Sequence, residues 1–411
     1  MSKFLFILIL IGIPFHSFSQ DLDRLILNNE YDKALSLIDS SLSKNRNQPE
    51  LYLKKGTILQ RKFDYAGALF SLQRAYQLDS LNITTISELA DVNSSLGNYR
   101  QALPYYQALY QADTTNIINT LRVSRAYFNV KSYKEPYRIL LSACKRDSSN
   151  LYLNKQLALS AMRTGHDSLA IALFNKVILQ NPSDLSNFSN LVLVYQKKEN
   201  YSKMTETLEM AIQFFPEETS LLLRLGNAHY AKRVYSKAIP PYEQYLSKGD
   251  SAPDVLKNLG ISYYYEKRLK EGINLLDKSL MLKPNDPVTG LFLGLCYKEL
   301  NEIDESIGYL NFAAKIAVPY YMSDIYNQLG NIYIQKKEYK KSVELLKKAY
   351  RVDTTKSEIL FKIGNTYDVW QKDKSQALRY YNSYLKYPKD SSEMHQKLTE
   401  YVLERKSKLG K

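Results

Sequence analysis

Apolar residues return at helical spacing along most of the chain, in paired segments separated by short polar or basic turns. Leu256, Leu259, Gly260 and Tyr263 form one such face and Ile273, Leu275, Leu276 and Leu280 the next, with Glu266, Lys267 and Arg268 between them. Residues at i, i+3, i+4 and i+7 share one side of an α-helix, so each pair predicts two amphipathic helices joined by a turn. The pairs repeat with a fixed period. A small residue returns every thirty-four places as Gly56, Ala90, Ser124, Ala158, Gly226, Gly260 and Gly294, with Val192 the one bulkier entry. A second column runs through Ala68, Ala102, Ala170, Ala238, Gly272 and Ser306, and a third through Ala75, Ala143, Ala211, Ser279 and Ala313. Two helices that cross closely cannot both carry large side chains at the crossing, so the period reports a packing constraint and predicts an array of stacked hairpins with one continuous core.

These residues carry a resemblance. In the best units a leucine-glycine pair is followed three places on by tyrosine, as Leu259, Gly260 and Tyr263; Leu293, Gly294 and Tyr297; and Leu329, Gly330 and Tyr333. Pro182, Pro216 and Pro284 stand where the second helix should end. In this the chain resembles the tetratricopeptide repeat family, whose unit is a thirty-four-residue helix-turn-helix. Units start near 49, 83, 117, 151, 185, 219, 253 and 287, then near 323 and 357 after a two-residue insertion close to Pro319, with one degenerate unit containing Ala34 before them. The resemblance implies an all-α, right-handed superhelical solenoid of about eleven repeats over 20–390. A terminal helix over 391–411 is expected to cap the stack, started by Ser391 or Ser392, with Met394, Leu398, Tyr401 and Val402 inward and Lys397, Arg405 and Lys406 facing water. Such a helix would complete the array at that end and imply no missing catalytic domain.

Prolines mark expected irregularities. Pro136 follows Ser132 and precedes the end of a first turn, where Ser132 with Glu135 resembles a capping box. Pro104, Pro240 and Pro241 lie deeper, so their helices are expected to start late or bend.

The first residues break the repeat. Lys3, an apolar run from Phe4 to Ile13, Pro14 and the small-x-small site Ser17-Phe18-Ser19 read as a secretory signal peptide over 1–19. The run is well short of the roughly twenty residues that span a bilayer, which leaves no transmembrane segment in a mature chain starting near Gln20, periplasmic or secreted. Cys144 and Cys296 are read as core fillers in distant units. The formal net charge is +14, one unit of it from Lys3. Its lysines are spread over many units and read as solvated helix faces, which leaves open an acidic protein, an anionic glycan or envelope surface, or a lipid head-group surface as partner, and the export signal disfavours nucleic acid.

Catalytic chemistry finds no footing. His166 with Asp167 and Ser168 is turn chemistry, His229 takes a tyrosine place, and His395 stands alone on the last helix. No metal-spaced His or Cys pair, phosphate loop or dinucleotide fingerprint appears, so no cofactor is implied. Tyr127, Tyr195, Tyr263, Tyr297, Tyr333 and Tyr367 share one interior place, where a ring packs and its hydroxyl reaches the edge.

In the family that the chain resembles, first helices line the concave side and ligands lie along it, at unit positions two, five, nine, twelve and thirteen. Carried over, this places Arg125, Phe128, Lys155 and Arg163 in the groove of early units, and Asn227, Tyr230, Lys257, Tyr264, Asn327, Asn331, Phe361 and Asn365 in that of later ones. A side-chain amide at position nine can bond both the N–H and C=O of an extended peptide. The lysine-asparagine set by which some members grip a terminal carboxylate is absent, because Leu159 and Ile261 follow Lys155 and Lys257 where asparagine is wanted. The resulting expectation is an exported, non-catalytic scaffold binding a protein or peptide segment in this groove, with a glycan-binding module as the alternative.

Overall fold

A computed structural model describes residues 15–409 except Asp250, Lys372 and 388–392. Helix accounts for 81% of the described residues, which contain no strand. They divide into two compact units, one ending at Asn200 and one starting at Tyr201.

The first unit contains α1 (Phe15–Leu27), α2 (Tyr31–Lys44), α3 (Pro49–Arg61), α4 (Tyr65–Leu78), α5 (Ile83–Ser95), α6 (Tyr99–Ala112), α7 (Ile117–Asn129), α8 (Lys134–Arg146), α9 (Leu151–Thr164), α10 (Asp167–Gln180) and α11 (Leu185–Lys197). The second contains α12 (Tyr201–Phe214), α13 (Thr219–Ala231), α14 (Tyr235–Ser247), α15 (Pro253–Tyr265), α16 (Leu269–Leu282), α17 (Pro287–Glu299), α18 (Ile303–Ile316), α19 (Pro319–Gln335), α20 (Tyr339–Val352), α21 (Glu358–Thr366), a π turn at Tyr367–Gln371, α22 (Lys374–Leu385) and α23 (Glu393–Leu409). The predicted leader lies largely outside the described residues; α1 begins at Phe15 and runs through the expected cleavage point near Gln20, with Phe18 packed beside the buried Leu22.

The small columns sit at the crossings inside each hairpin. A Cβ built on Gly260 would lie 2.8 Å from Leu276 Cγ, one on Gly294 2.7 Å from Leu310 Cγ, and one on Gly330 2.7 Å from Leu346 Cγ. The facing leucines are fully buried, so glycine is what lets the backbones approach and seal the core. At Gly294 the approach is close enough for the Ser306 hydroxyl to donate to its carbonyl at 2.7 Å.

The turns share a device that composition alone hides. A left-handed residue stands at the same place in successive hairpins: Phe63, Gly97, Lys131, Gly165, Glu199, Arg233, Lys267 and Asn301. Its N–H and that of the next residue close back on the first helix, as Lys267 to Tyr264 and Arg268 to Tyr263, satisfying orphan carbonyls. Most of these positions are not glycine and carry the steric cost of that conformation.

The prolines decide one half of one expectation and correct another. The helices holding Pro104 and the Pro240-Pro241 pair do not start late: α6 begins at Tyr99 and α14 at Tyr235, in step with their neighbours. The carbonyls deprived of partners belong to Arg100, Ser236 and Lys237, all exposed, so water can bond them. The Ser132-Glu135 capping box does not form either. Tyr133 is the N-cap of α8 without a side-chain cap bond, and Glu135 instead accepts from Arg138 at 3.2 Å.

At the far end, α23 packs on α22 with Val402 fully buried. Arg405 does not simply face water as expected. It makes a two-pronged hydrogen bond to Asp368 on the π turn, at 2.7 and 2.9 Å, and the Asp368 side chain is only 2% exposed. Arg405, then burial's opposing effect, then Tyr381 set the acidity of Asp368, and the net result holds its carboxyl below the usual range. Ser391 and Ser392 lie outside the described residues.

Candidate functional site

First helices of successive hairpins touch one another: α3 with α5 and α9 with α11 in the first unit, and α13 with α15, α15 with α17 and α17 with α19 in the second. Each unit therefore presents a face built from first helices. In the second unit this face carries a strip of interlocked rings. Tyr265 stacks on Tyr235 at 4.1 Å, Tyr230 meets Tyr235 edge-on at 5.8 Å, and Tyr264 meets both Tyr265 and Phe292, at 5.2 and 5.5 Å. The strip crosses α13, α14, α15 and α17. Tyr230 is held tightly enough that burial pushes its hydroxyl pKa up to about 12, while Tyr265 remains 47% exposed.

The sequence-predicted residues fall into two groups. Tyr230 and Tyr264 belong to this strip, and Asn331 is half-buried on α19. Others are engaged within the protein. Asn227 accepts from Tyr242 at 2.7 Å and Asn365 from Tyr401 at 3.2 Å, so their carbonyl oxygens are partly spent. Asn327 is nearly buried, and Phe361 packs among Tyr381, Tyr384 and Tyr401 against the capping helix. Lys257 is clamped between Asp254 and Asp286, at 2.8 and 2.9 Å. In the first unit Lys155 is bound to Asp184 at 2.5 Å, Phe128 packs on Tyr133, and Arg163 lies 5.9 Å over the Tyr133 ring. Arg125 is exposed and donates to the Tyr152 hydroxyl at 3.2 Å, at the edge of a cavity of about 460 Å³ that Tyr99, Tyr106 and Arg122 also line.

Family models for the tetratricopeptide repeat match residues 323–356 and 358–390. The chain carries tetratricopeptide repeats. Curated relatives include a repeat-containing protein of Methanocaldococcus jannaschii, 23% identical over 61% of this chain and 47% of its own length. Another is the BBSome complex member BBS4 homolog of Drosophila melanogaster, 20% identical over 82% of this chain and 64% of its own length. The matched region thus spans less than two thirds of either relative. Among solved structures, YrrB, described as a TPR protein with an unusual peptide-binding site, aligns at 21% identity over 48% of this chain and 97% of its own, TM-score 0.40. Yeast Tom70 aligns at 12% identity over 96% of this chain and 95% of its own, TM-score 0.40.

Tetratricopeptide repeats generally serve as protein-interaction scaffolds without catalytic chemistry of their own. His166 and His395 are engaged within the protein. His166 stacks on Tyr137 at 4.2 Å while Asp167 is taken by Lys197 at 2.9 Å. His395 is not alone as expected: its Nδ1 lies 3.4 Å from the Tyr384 hydroxyl. Cys144 and Cys296 are buried free thiols, pushed up to about 11 and about 12 by burial, which makes them poor nucleophiles.

Sequence reasoning missed Tyr235, Tyr265, Phe292 and Lys298. Lys298 stands at position twelve of its repeat, as Tyr230 and Tyr264 do, and the same rule would have found it. Tyr235 belongs to a tyrosine column that opens second helices, with Tyr65, Tyr99, Tyr201 and Tyr339. That column was a readable signal. Its arrival on the first-helix face was not, because it depends on how the turn aims the ring.

Proposed function

We propose that this protein is an exported scaffold whose second unit holds an extended polypeptide segment along its first-helix face. The aromatic strip from Tyr230 to Phe292 carries the reading. Five rings already fixed by mutual contact offer apolar area with little rotamer entropy left to lose on binding, which is how aromatic anchors dominate interfaces. The Asn331 amide adds a donor and an acceptor for a peptide backbone. Membership of a multiprotein complex by the Drosophila relative agrees with a scaffold role. Export rests on Lys3, the apolar run to Ile13 and the Ser17-Phe18-Ser19 site.

The test is to pan the full chain against a displayed peptide library and measure the recovered peptides by fluorescence anisotropy. Tyr265→Ala, on an exposed ring that leaves the core intact, should weaken them by about 2 kcal/mol, roughly thirtyfold. Recovery of no peptide, or of peptides indifferent to Tyr265→Ala, overturns the proposal, and binding to acidic polysaccharide alone would favour the glycan reading. For export, mass spectrometry of the native protein should find an N-terminus near Gln20; an intact Lys3 would refute it.

A further inference from the structure

Most lysines on the first-helix faces are neutralised by an aspartate. Lys54 pairs with Asp23, Lys155 with Asp184, and Lys257 with Asp254 and Asp286. Lys298 on α17 and Lys362 on α21 differ. Both are half-buried and neither makes an ion pair among the described residues. Their ammonium groups bond to consecutive residues of α19: Lys362 donates to Asn327 Oδ1 at 2.8 Å and Lys298 to Gln328 Oε1 at 3.1 Å. Each uses one of its three N–H donors in that contact.

The electrostatics fit an unfilled requirement. Burial lowers the pKa of both lysines, and the charge of Lys298 adds to the lowering at Lys362. Glu299 and Glu358 oppose this only at a distance; Glu299 is itself paired with Lys267 at 2.9 Å. Two desolvated like charges beside neutral amides are costly unless an anion joins them.

We propose that Lys298 and Lys362 together hold the carboxylate of an acidic side chain in a polypeptide lying on this face. The inference rests on the peptide-binding reading above and adds the chemistry of the segment. A carboxylate suits the site better than a phosphate. Lys298 lies in the last turn of α17, where the partial negative charge of the helix C-terminus penalises a doubly charged anion more than a singly charged one. The donors are two ammonium points and not a guanidinium fork or a helix N-terminus, the parts that favour phosphate. The site also differs from the lysine-asparagine clamp for a chain terminus, whose set this sequence lacks.

The experiment uses the full chain and a library of twelve-residue peptides with blocked C-termini, panned in parallel against the wild type and the Lys298→Gln/Lys362→Gln variant. Binders to the wild type should concentrate Asp or Glu at one position, bind at least tenfold more tightly than their Asn or Gln counterparts, and lose that advantage in the double variant. The Lys298→Arg/Lys362→Arg variant should keep it, which guards against a folding artefact. No acidic preference, or a preference that survives the double variant, overturns the carboxylate site while leaving the groove reading intact. Recovery of no peptide overturns the groove reading itself. In a parallel arm, reductively 13C-methylated lysines are followed by NMR. Inorganic phosphate perturbing Lys298 and Lys362 as strongly as an acidic binder at equal concentration would make this a phosphate site and overturn the assignment.

Discussion

Gly294 and Gly308 lie in one helical hairpin and separate two effects that substitution of glycine usually mixes. Both are in helix interiors, so alanine at either gains about 1 kcal/mol of helix propensity. At Gly308 a new Cβ would meet nothing within 4 Å, whereas at Gly294 it would lie 2.7 Å from Leu310 Cγ and 3.2 Å from the Ser306 carbonyl. Leu310 is fully buried and its Cγ is a branch point, so relief requires α17 and α18 to move apart. Overpacking of that kind costs about 1–3 kcal/mol. Gly308→Ala should therefore stabilise the hairpin by about 1 kcal/mol, and Gly294→Ala should fall below it by about 1–3 kcal/mol. Repeat stacks open locally, so the proper assay is amide hydrogen exchange in α17 and α18 under native conditions, compared with exchange in α13 as an internal control. Equal stabilisation by the two substitutions would refute the claim that the glycine period records close helix crossings.

Three further outcomes follow from particular contacts. Arg405→Ala leaves a buried Asp368 carboxylate unpaired and should cost about 3–5 kcal/mol of capping stability, read as fast exchange confined to α22 and α23; slow exchange there would contradict the pair's role. Because the folded pKa of Asp368 lies below its unfolded value, its stabilisation is complete above the ordinary carboxylate pKa of about 3.9 and fades as pH falls through the folded value. Acid should thus loosen α23 in the wild type, and Arg405→Ala should remove most of that dependence. Phe63 is 78% exposed and left-handed at φ 63°, so Phe63→Gly should relieve about 1–2 kcal/mol of backbone strain, offset by about 0.4–1 kcal/mol of unfolded-chain entropy. The net should be a small stabilisation by urea titration of α3–α4 exchange, and a clear loss would contradict the strain.

The hairpin pattern was legible because it is written in side-chain size. Gly260 and Leu276 face each other at a fixed sequence offset, and any residue larger than glycine would clash there, so period and geometry are one fact. Leu259 and Tyr263 were readable for the same reason. The site was less legible. Position rules brought out Tyr230 and Tyr264, but ring contacts across four helices depend on turn geometry, which placed Tyr235 on the same face. Nor could sequence spacing show which polar groups are already satisfied. Lys257 and Lys298 occupy groove positions of adjacent repeats, yet one is clamped by two aspartates and the other meets only an amide. The interior prolines did not delay their helices for a related reason, since the cost of a missing backbone bond depends on whether its carbonyl reaches water.

Photocrosslinking in the native cell, from a reactive residue placed at Tyr265 or Asn331 and, for comparison, at the exposed Lys278 on the second helix α16, tests most directly whether the first-helix face holds a polypeptide. The account predicts adducts from both first-helix positions to one protein, mapping to neighbouring residues of a single extended segment, with none from Lys278. Adducts from Lys278 alone, or the same background from all three, would contradict it.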